Sequence, residues 1–130
     1  MAGGKIRQAT ITGGTRPGAN ALAVWAMIKH LGFEGYKEVV REKMELARWF
    51  ASELKKIPGI YLIREPVLNI VSFGSEKLED LEEELKARGG WGGISAHRGY
   101  IRIVVMPHVR KEHLEAFLVD LRSIMAILTQ

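Results

Sequence analysis

The sequence predicts an α+β fold: a small, mostly antiparallel sheet covered on one face by helices, with a two-helix arm at the N-terminus. Three observations predict it. The run Ile101-Arg102-Ile103-Val104-Val105-Met106-Pro107-His108 is the densest β-branched stretch and reads as the central strand. Two segments, about 34–56 and 111–128, repeat apolar residues at three- and four-residue spacing, the period of amphipathic helices. From Ile60 onward, strands and helices follow in the order β-β-α-β-β-α, which suits two helices laid on one face of a sheet.

Taken in order, Lys5 to Thr12 is a lead-in with weak alternation. Gly13-Gly14-Thr15-Arg16-Pro17-Gly18 then forces a loop, because Arg16 precedes a proline and the glycines allow close backbone approach. A helix over about 19–31 is apolar around much of its circumference, and Gly32 stops it. A second helix over about 34–56 places Tyr36, Val40, Met44, Ala47, Ala51 and Leu54 on one stripe, with Phe33, Trp49 and Phe50 off its centre. Pro58-Gly59 ends it.

Ile60 to Ile63 and Val67 to Phe73 read as strands separated by the turn Arg64-Glu65-Pro66. Ser75 stands as the cap of a helix that turns Leu78, Leu81 and Leu85 inward and Glu79, Asp80, Glu82, Glu83 and Glu84 toward water. Gly89 to Gly93 lead into an edge strand at Ile94 to Ala96, and His97 to Tyr100 link it to the 101–108 strand. The last helix, 111–128, buries Leu114, Phe117, Leu118, Leu121, Met125 and Leu128. The chain thus divides into a lead-in and glycine-rich loop (1–18), a helical arm (19–57) and an α+β domain (58–130), all one structural unit.

With 130 residues, 47% hydrophobic and 26% charged, the composition is that of one globular domain. The formal charge of +4 is mild and dispersed, with no basic stripe, so it argues for no nucleic-acid partner. The absence of cysteine excludes disulfides and thiolate metal sites. No signal-like apolar core and no run of about 18 apolar residues occur, so the expected place is the cytoplasm, with no membrane partner.

Few residues point to chemistry. The 13–18 loop opens a helix, where backbone N–H groups, the positive helix end and Arg16 suit an anion; taken alone, a plain turn accounts for it better. Arg102 is either a strand-edge solubiliser or a bidentate carboxylate clamp, for which its planar fork is fitted. The four histidines have no spacing that would hold a metal, and no serine sits in a nucleophile motif.

Several stretches together carry a resemblance. Arg7-Gln8-Ala9-Thr10-Ile11-Thr12-Gly13-Gly14-Thr15-Arg16-Pro17-Gly18-Ala19 is the first, followed by Ala23-Val24-Trp25-Ala26 and Leu31-Gly32-Phe33-Glu34-Gly35-Tyr36. Glu65-Pro66-Val67-Leu68-Asn69-Ile70-Val71 and Arg102-Ile103-Val104-Val105-Met106-Pro107-His108 continue it. In this order they resemble the region after the catalytic lysine in group II pyridoxal-phosphate decarboxylases, in particular the archaeal L-tyrosine/L-aspartate decarboxylases.

The resemblance implies the small C-terminal domain of a fold type I enzyme, a family of homodimers with active sites at the subunit boundary. It implies that the cofactor-bearing lysine and the aspartate at the pyridine nitrogen belong to a part outside this sequence. Thr15 and Arg16 then correspond to a loop on the cofactor-phosphate side, and Arg102 to the arginine that meets the substrate α-carboxylate. No residue here is expected to be catalytic.

The expectation is a truncated domain, inactive alone and without a cofactor of its own, although pyridoxal phosphate serves the parent family. It would self-associate through helices 19–31 and 34–56. The alternatives are a complementing subunit for a separately encoded large-domain partner, or a small carboxylate-binding domain. The sequence departs from the family at Gly13-Gly14, in the glycine-rich stretch 89–93, and at Arg110. Arg110 stands where a capping threonine would, and its side chain cannot accept from free N–H groups. That costs about 0.5–2 kcal/mol unless His108 or water substitutes.

Overall fold

The computed structural model describes residues 17–88 and 99–129. The described residues up to Lys37 form one compact unit and those from Glu38 a second. Within the second unit Ala47, Phe50, Ala51 and Leu54, read from the sequence as part of the helical arm, are buried in the same core as the sheet. The lead-in, residues 13–16 of the glycine-rich loop, the 89–93 stretch and the expected strand at 94–96 lie outside the described residues.

Helix α1 spans Gly18–Leu54, interrupted at Gly32, whose φ of 59° and ψ of −171° are non-helical. A positive φ with extended ψ is a region only glycine enters without strain, so the residue read as a helix stop breaks the helix there. In the first unit, α1 leaves Leu22, Val24, Trp25, Met27, Ile28 and Phe33 exposed.

In the second unit the buried stripe of α1 is Lys43, Ala47, Phe50, Ala51 and Leu54. It differs from the expected stripe. Val40 is exposed and Met44 half-buried, while Phe50, expected off-centre, is fully buried.

Three strands, β1 (Ile60–Leu62), β2 (Ile70–Ser75) and β3 (Ile101–Val104), form an antiparallel sheet in the order β1-β2-β3. The register pairs Leu62 with Phe73 and Val71 with Ile103. Among the described residues β2 is therefore the middle strand, not the 101–108 run.

That run stops early as a strand for a local reason. The Val105 N–H donates to the Asn69 carbonyl (2.7 Å) and the Asn69 amide donates back to the Val105 carbonyl (3.0 Å). Met106 to Val109 then close a turn, with the Val109 N–H on the Met106 carbonyl (2.9 Å) and Pro107 supplying the preset φ. β2 in turn starts at Ile70 rather than Val67, and Val67 and Leu68 stay exposed.

Helices α2 (Leu78–Ala87) and α3 (Lys111–Leu128) complete the unit. Ser75 is not the cap of α2. It ends β2 in a buried position, its hydroxyl accepts the Lys77 N–H (3.3 Å), and Lys77 itself is the N-cap residue. Leu81 and Leu85 are fully buried and Leu78 packs at the rim, as their spacing predicted.

From α3 the core takes Leu114, Phe117, Leu118, Leu121 and Met125. It also takes Ile124, which the sequence reading left out. Phe117 is the junction: it meets Phe50 edge-on at 5.9 Å and Phe73 at 6.2 Å, joining α1, α3 and the sheet. At the start of α3, neither His108 nor the Arg110 side chain supplies the cap. The His113 Nδ1 accepts the Arg110 N–H (3.3 Å), and the His113 N–H donates to the Arg110 carbonyl (3.2 Å), a reciprocal bond of capping-box kind.

Candidate functional site

Strand alternation places Arg102. Its neighbour Ile101 is fully buried and Ile103 packs on the core, so Arg102 projects from the opposite face of the sheet, where it is exposed. Across that face it stands beside Ser72 in register, and Ile63, whose N–H donates to the Ser72 carbonyl (2.9 Å), continues the row. Tyr61 opposite Gly74 and Ile70 opposite Val104 flank the row on either side. The Tyr61 ring lies so close over Gly74 that a Cβ there would meet it at 2.8 Å.

Arg102 enters no ion pair or hydrogen bond among the described residues. A free planar guanidinium in a frame of apolar and small side chains can take a carboxylate with two parallel hydrogen bonds. Thr15 and Arg16, the other two residues singled out from the sequence, lie outside the described residues. His108 is exposed on the turn after β3, and no group of side chains suited to a metal occurs among the described residues.

The remaining charges serve structure. Lys43, buried on α1, donates to Glu42 (2.8 Å) and to the Val109 carbonyl (3.1 Å), fixing the far end of the turn after β3. The patterning of α1 carried that signal, since Lys43 stands one turn before Ala47 on the buried stripe. Glu53 is hydrogen-bonded by Lys56 and by Arg122 (3.0 Å), which ties the end of α1 to α3. The hydrogen bond from Lys56 is the largest of the effects holding its carboxyl below the ordinary range. The Lys111 ammonium sits 4.9 Å from the centre of the Trp49 ring, above an open groove bordered by Glu42, Glu45, Arg110 and Glu112.

The described lysines do not make a place for an aldehyde cofactor. Lys37, Lys55, Lys56 and Lys86 pair with glutamates, Lys77 donates to the Leu128 carbonyl, and Lys29 stands exposed on α1. These residues fit such a group poorly on their own, and no step through it follows from them.

The family model for the pyridoxal-dependent decarboxylase conserved domain matches residues 4–76. The chain belongs to the pyridoxal-dependent decarboxylase family. It is similar to the L-aspartate decarboxylase of Thermococcus kodakarensis, 88% identical over 124 residues that cover 95% of this chain and 32% of that one. It is also similar to the L-aspartate/L-glutamate decarboxylase of Pyrococcus horikoshii, at 63% identity over 97% of this chain and 32% of that protein. A probable L-tyrosine/L-aspartate decarboxylase of Methanosphaera stadtmanae is 38% identical over 90% of this chain and 30% of its own length.

Among solved structures, the Lactobacillus brevis glutamate decarboxylase matches with a TM-score of 0.75 at 21% identity, covering 88% of this chain and 29% of that one. Mouse CSAD matches with a TM-score of 0.67 at 25% identity, over 81% of this chain and 27% of that one. The α+β fold is therefore that of a piece of the decarboxylase family, and the chain spans about a third (32%) of the length of the curated relatives it matches first. Thr15 and Arg16 fall inside the stretch matched by the family model, whereas Arg102 lies beyond it.

Proposed function

We propose that this chain is the C-terminal, small-domain portion of a pyridoxal-phosphate-dependent decarboxylase acting on L-aspartate or a closely related amino acid, and that it has no activity alone. The observation that carries the reading is the 88% identity to an L-aspartate decarboxylase, of whose length the chain spans 32%. In this reading Arg102 holds the substrate α-carboxylate from the open face of the sheet and so orients the bond to be broken. Thr15 and Arg16 stand at the cofactor-phosphate side. The cofactor, held by the rest of such an enzyme, supplies the electron sink for the pair released as CO₂ leaves. This chain supplies orientation and charge.

The test is a covalent chimera. This chain replaces the matching third of the Thermococcus kodakarensis enzyme, and CO₂ release from L-aspartate is measured with pyridoxal phosphate present. Activity within about tenfold of the parent is expected from the chimera and none from the chain alone. An inactive, folded chimera, or turnover by the chain alone, would overturn the reading.

A further inference from the structure

Two polar residues, Asn69 and Ser72, interrupt the apolar run 67–73 that supplies the middle strand. The structure accounts for the first, whose amide is spent on the Val105 carbonyl (3.0 Å). It gives the second no such task. Ser72 is half-buried on β2, and its hydroxyl makes no hydrogen bond with another described residue. A polar group set into the middle of a sheet calls for a partner, because burial without one costs free energy.

The register shows where that partner would lie. Ser72 stands directly opposite Arg102, whose guanidinium is likewise unbonded among the described residues. Side chains opposed in an antiparallel pair hold their Cβ atoms about 4.5–5.5 Å apart. Gly74, two residues along β2 on the same face, has no side chain, and the half-exposed Tyr61 ring lies over it. A cation and a short hydroxyl thus stand side by side on the open face, with an aromatic wall on one flank.

This pairing suits a carboxylate better than the arginine alone does. A carboxylate accepts at about four lone-pair sites. A bidentate guanidinium takes two of them and leaves the others for a further donor. The arginine swings on a long stem, whereas a serine hydroxyl on the middle strand is fixed to within one rotatable bond, so it defines where the carboxylate rests.

We propose that Ser72 is a second substrate-binding residue, whose hydroxyl donates to the α-carboxylate that Arg102 clamps. The inference rests on the functional reading above and adds the place of the carboxylate: over the middle strand, beside the Tyr61 ring.

The experiment uses the covalent chimera and steady-state decarboxylation of L-aspartate. Ser72→Ala should lower kcat/KM about tenfold or more, as expected for one lost hydrogen bond to a charged group. Ser72→Thr, which keeps a hydroxyl on a side chain that suits a strand, should recover most of that loss. In an Arg102→Ala background, Ser72→Ala should cost much less, because the two donors share one carboxylate. Inhibition by 3-aminopropanoate, the amine that L-aspartate becomes on losing its α-carboxylate, should be the same with and without Ser72→Ala. An active chimera whose kcat/KM is unchanged by Ser72→Ala would overturn this inference alone. So would a loss that threonine does not recover, a loss of full size in the Arg102→Ala background, or one matched by weaker inhibition by 3-aminopropanoate. An inactive folded chimera would overturn the functional reading and this assignment with it.

Discussion

Lys43 is the only charged side chain buried among the described residues, and it ties α1 to the turn after β3 by donating to Glu42 and to the Val109 carbonyl. Lys43→Met keeps most of the apolar stem and removes both bonds. It should cost about 1.5–3 kcal/mol in denaturant unfolding, the usual worth of hydrogen bonds to charged groups; an unchanged midpoint would show that the pin is idle. Glu53 makes a different prediction. Its carboxyl is held below its ordinary range by Lys56 and Arg122, so the folded state favours the charged form. The stability this gives is complete above the unfolded-state value near pH 4.3 and is lost as pH falls through the lower folded value. Thermal midpoints of Glu53→Gln and the parent should therefore converge on acidification. A gap that stays constant down to about pH 2 would contradict the assignment.

At the scale of elements, Phe117 joins α1, α3 and the sheet through its contacts with Phe50 and Phe73. Phe117→Ala should cost about 3–5 kcal/mol, read from the denaturant midpoint at unchanged slope. Gly59 closes the link between α1 and β1 with φ at 80°, and a Cβ there would meet the Met125 methyl at 2.6 Å. The methyl can swing aside but the backbone cannot. Gly59→Ala should therefore lose about 1–2 kcal/mol from the left-handed φ, measured in the same way.

These elements also show what the sequence could say. Helix spacing identified Leu81, Leu85, Phe117 and Leu121 because one buried face forces that period. The stop at Gly32 was legible because only glycine suits that backbone. The end of β3 was not legible, since it depends on Asn69, which is distant in sequence and bonds Val105 only once β2 has paired. Nor was the cap of α3, where a histidine takes over what neither Arg110 nor His108 provides. Phe50 was misjudged because the sheet and α3, not the helix period alone, decide which side of α1 is covered.

For the whole molecule, the proposed division of labour gives this chain the carboxylate-binding surface and the rest of such an enzyme the cofactor's electron sink. The described residues between 38 and 129 carry a core with no partnerless buried side-chain polar atom, and on the sheet's outer face Arg102 enters no ion pair or hydrogen bond with another described residue. The helix at 18–37 carries its apolar residues outward. Both features suit a portion whose chemistry is completed by other polypeptide. The most direct measurement is the steady-state decarboxylation of L-aspartate by the covalent chimera, with and without Arg102→Ala. Loss of one bidentate carboxylate contact should lower kcat/KM about ten- to hundredfold, while the cofactor absorbance of the chimera is unchanged. Equal kcat/KM in the two chimeras would contradict the placing of Arg102 at the substrate carboxylate, and with it the claim that this sheet face completes the active site.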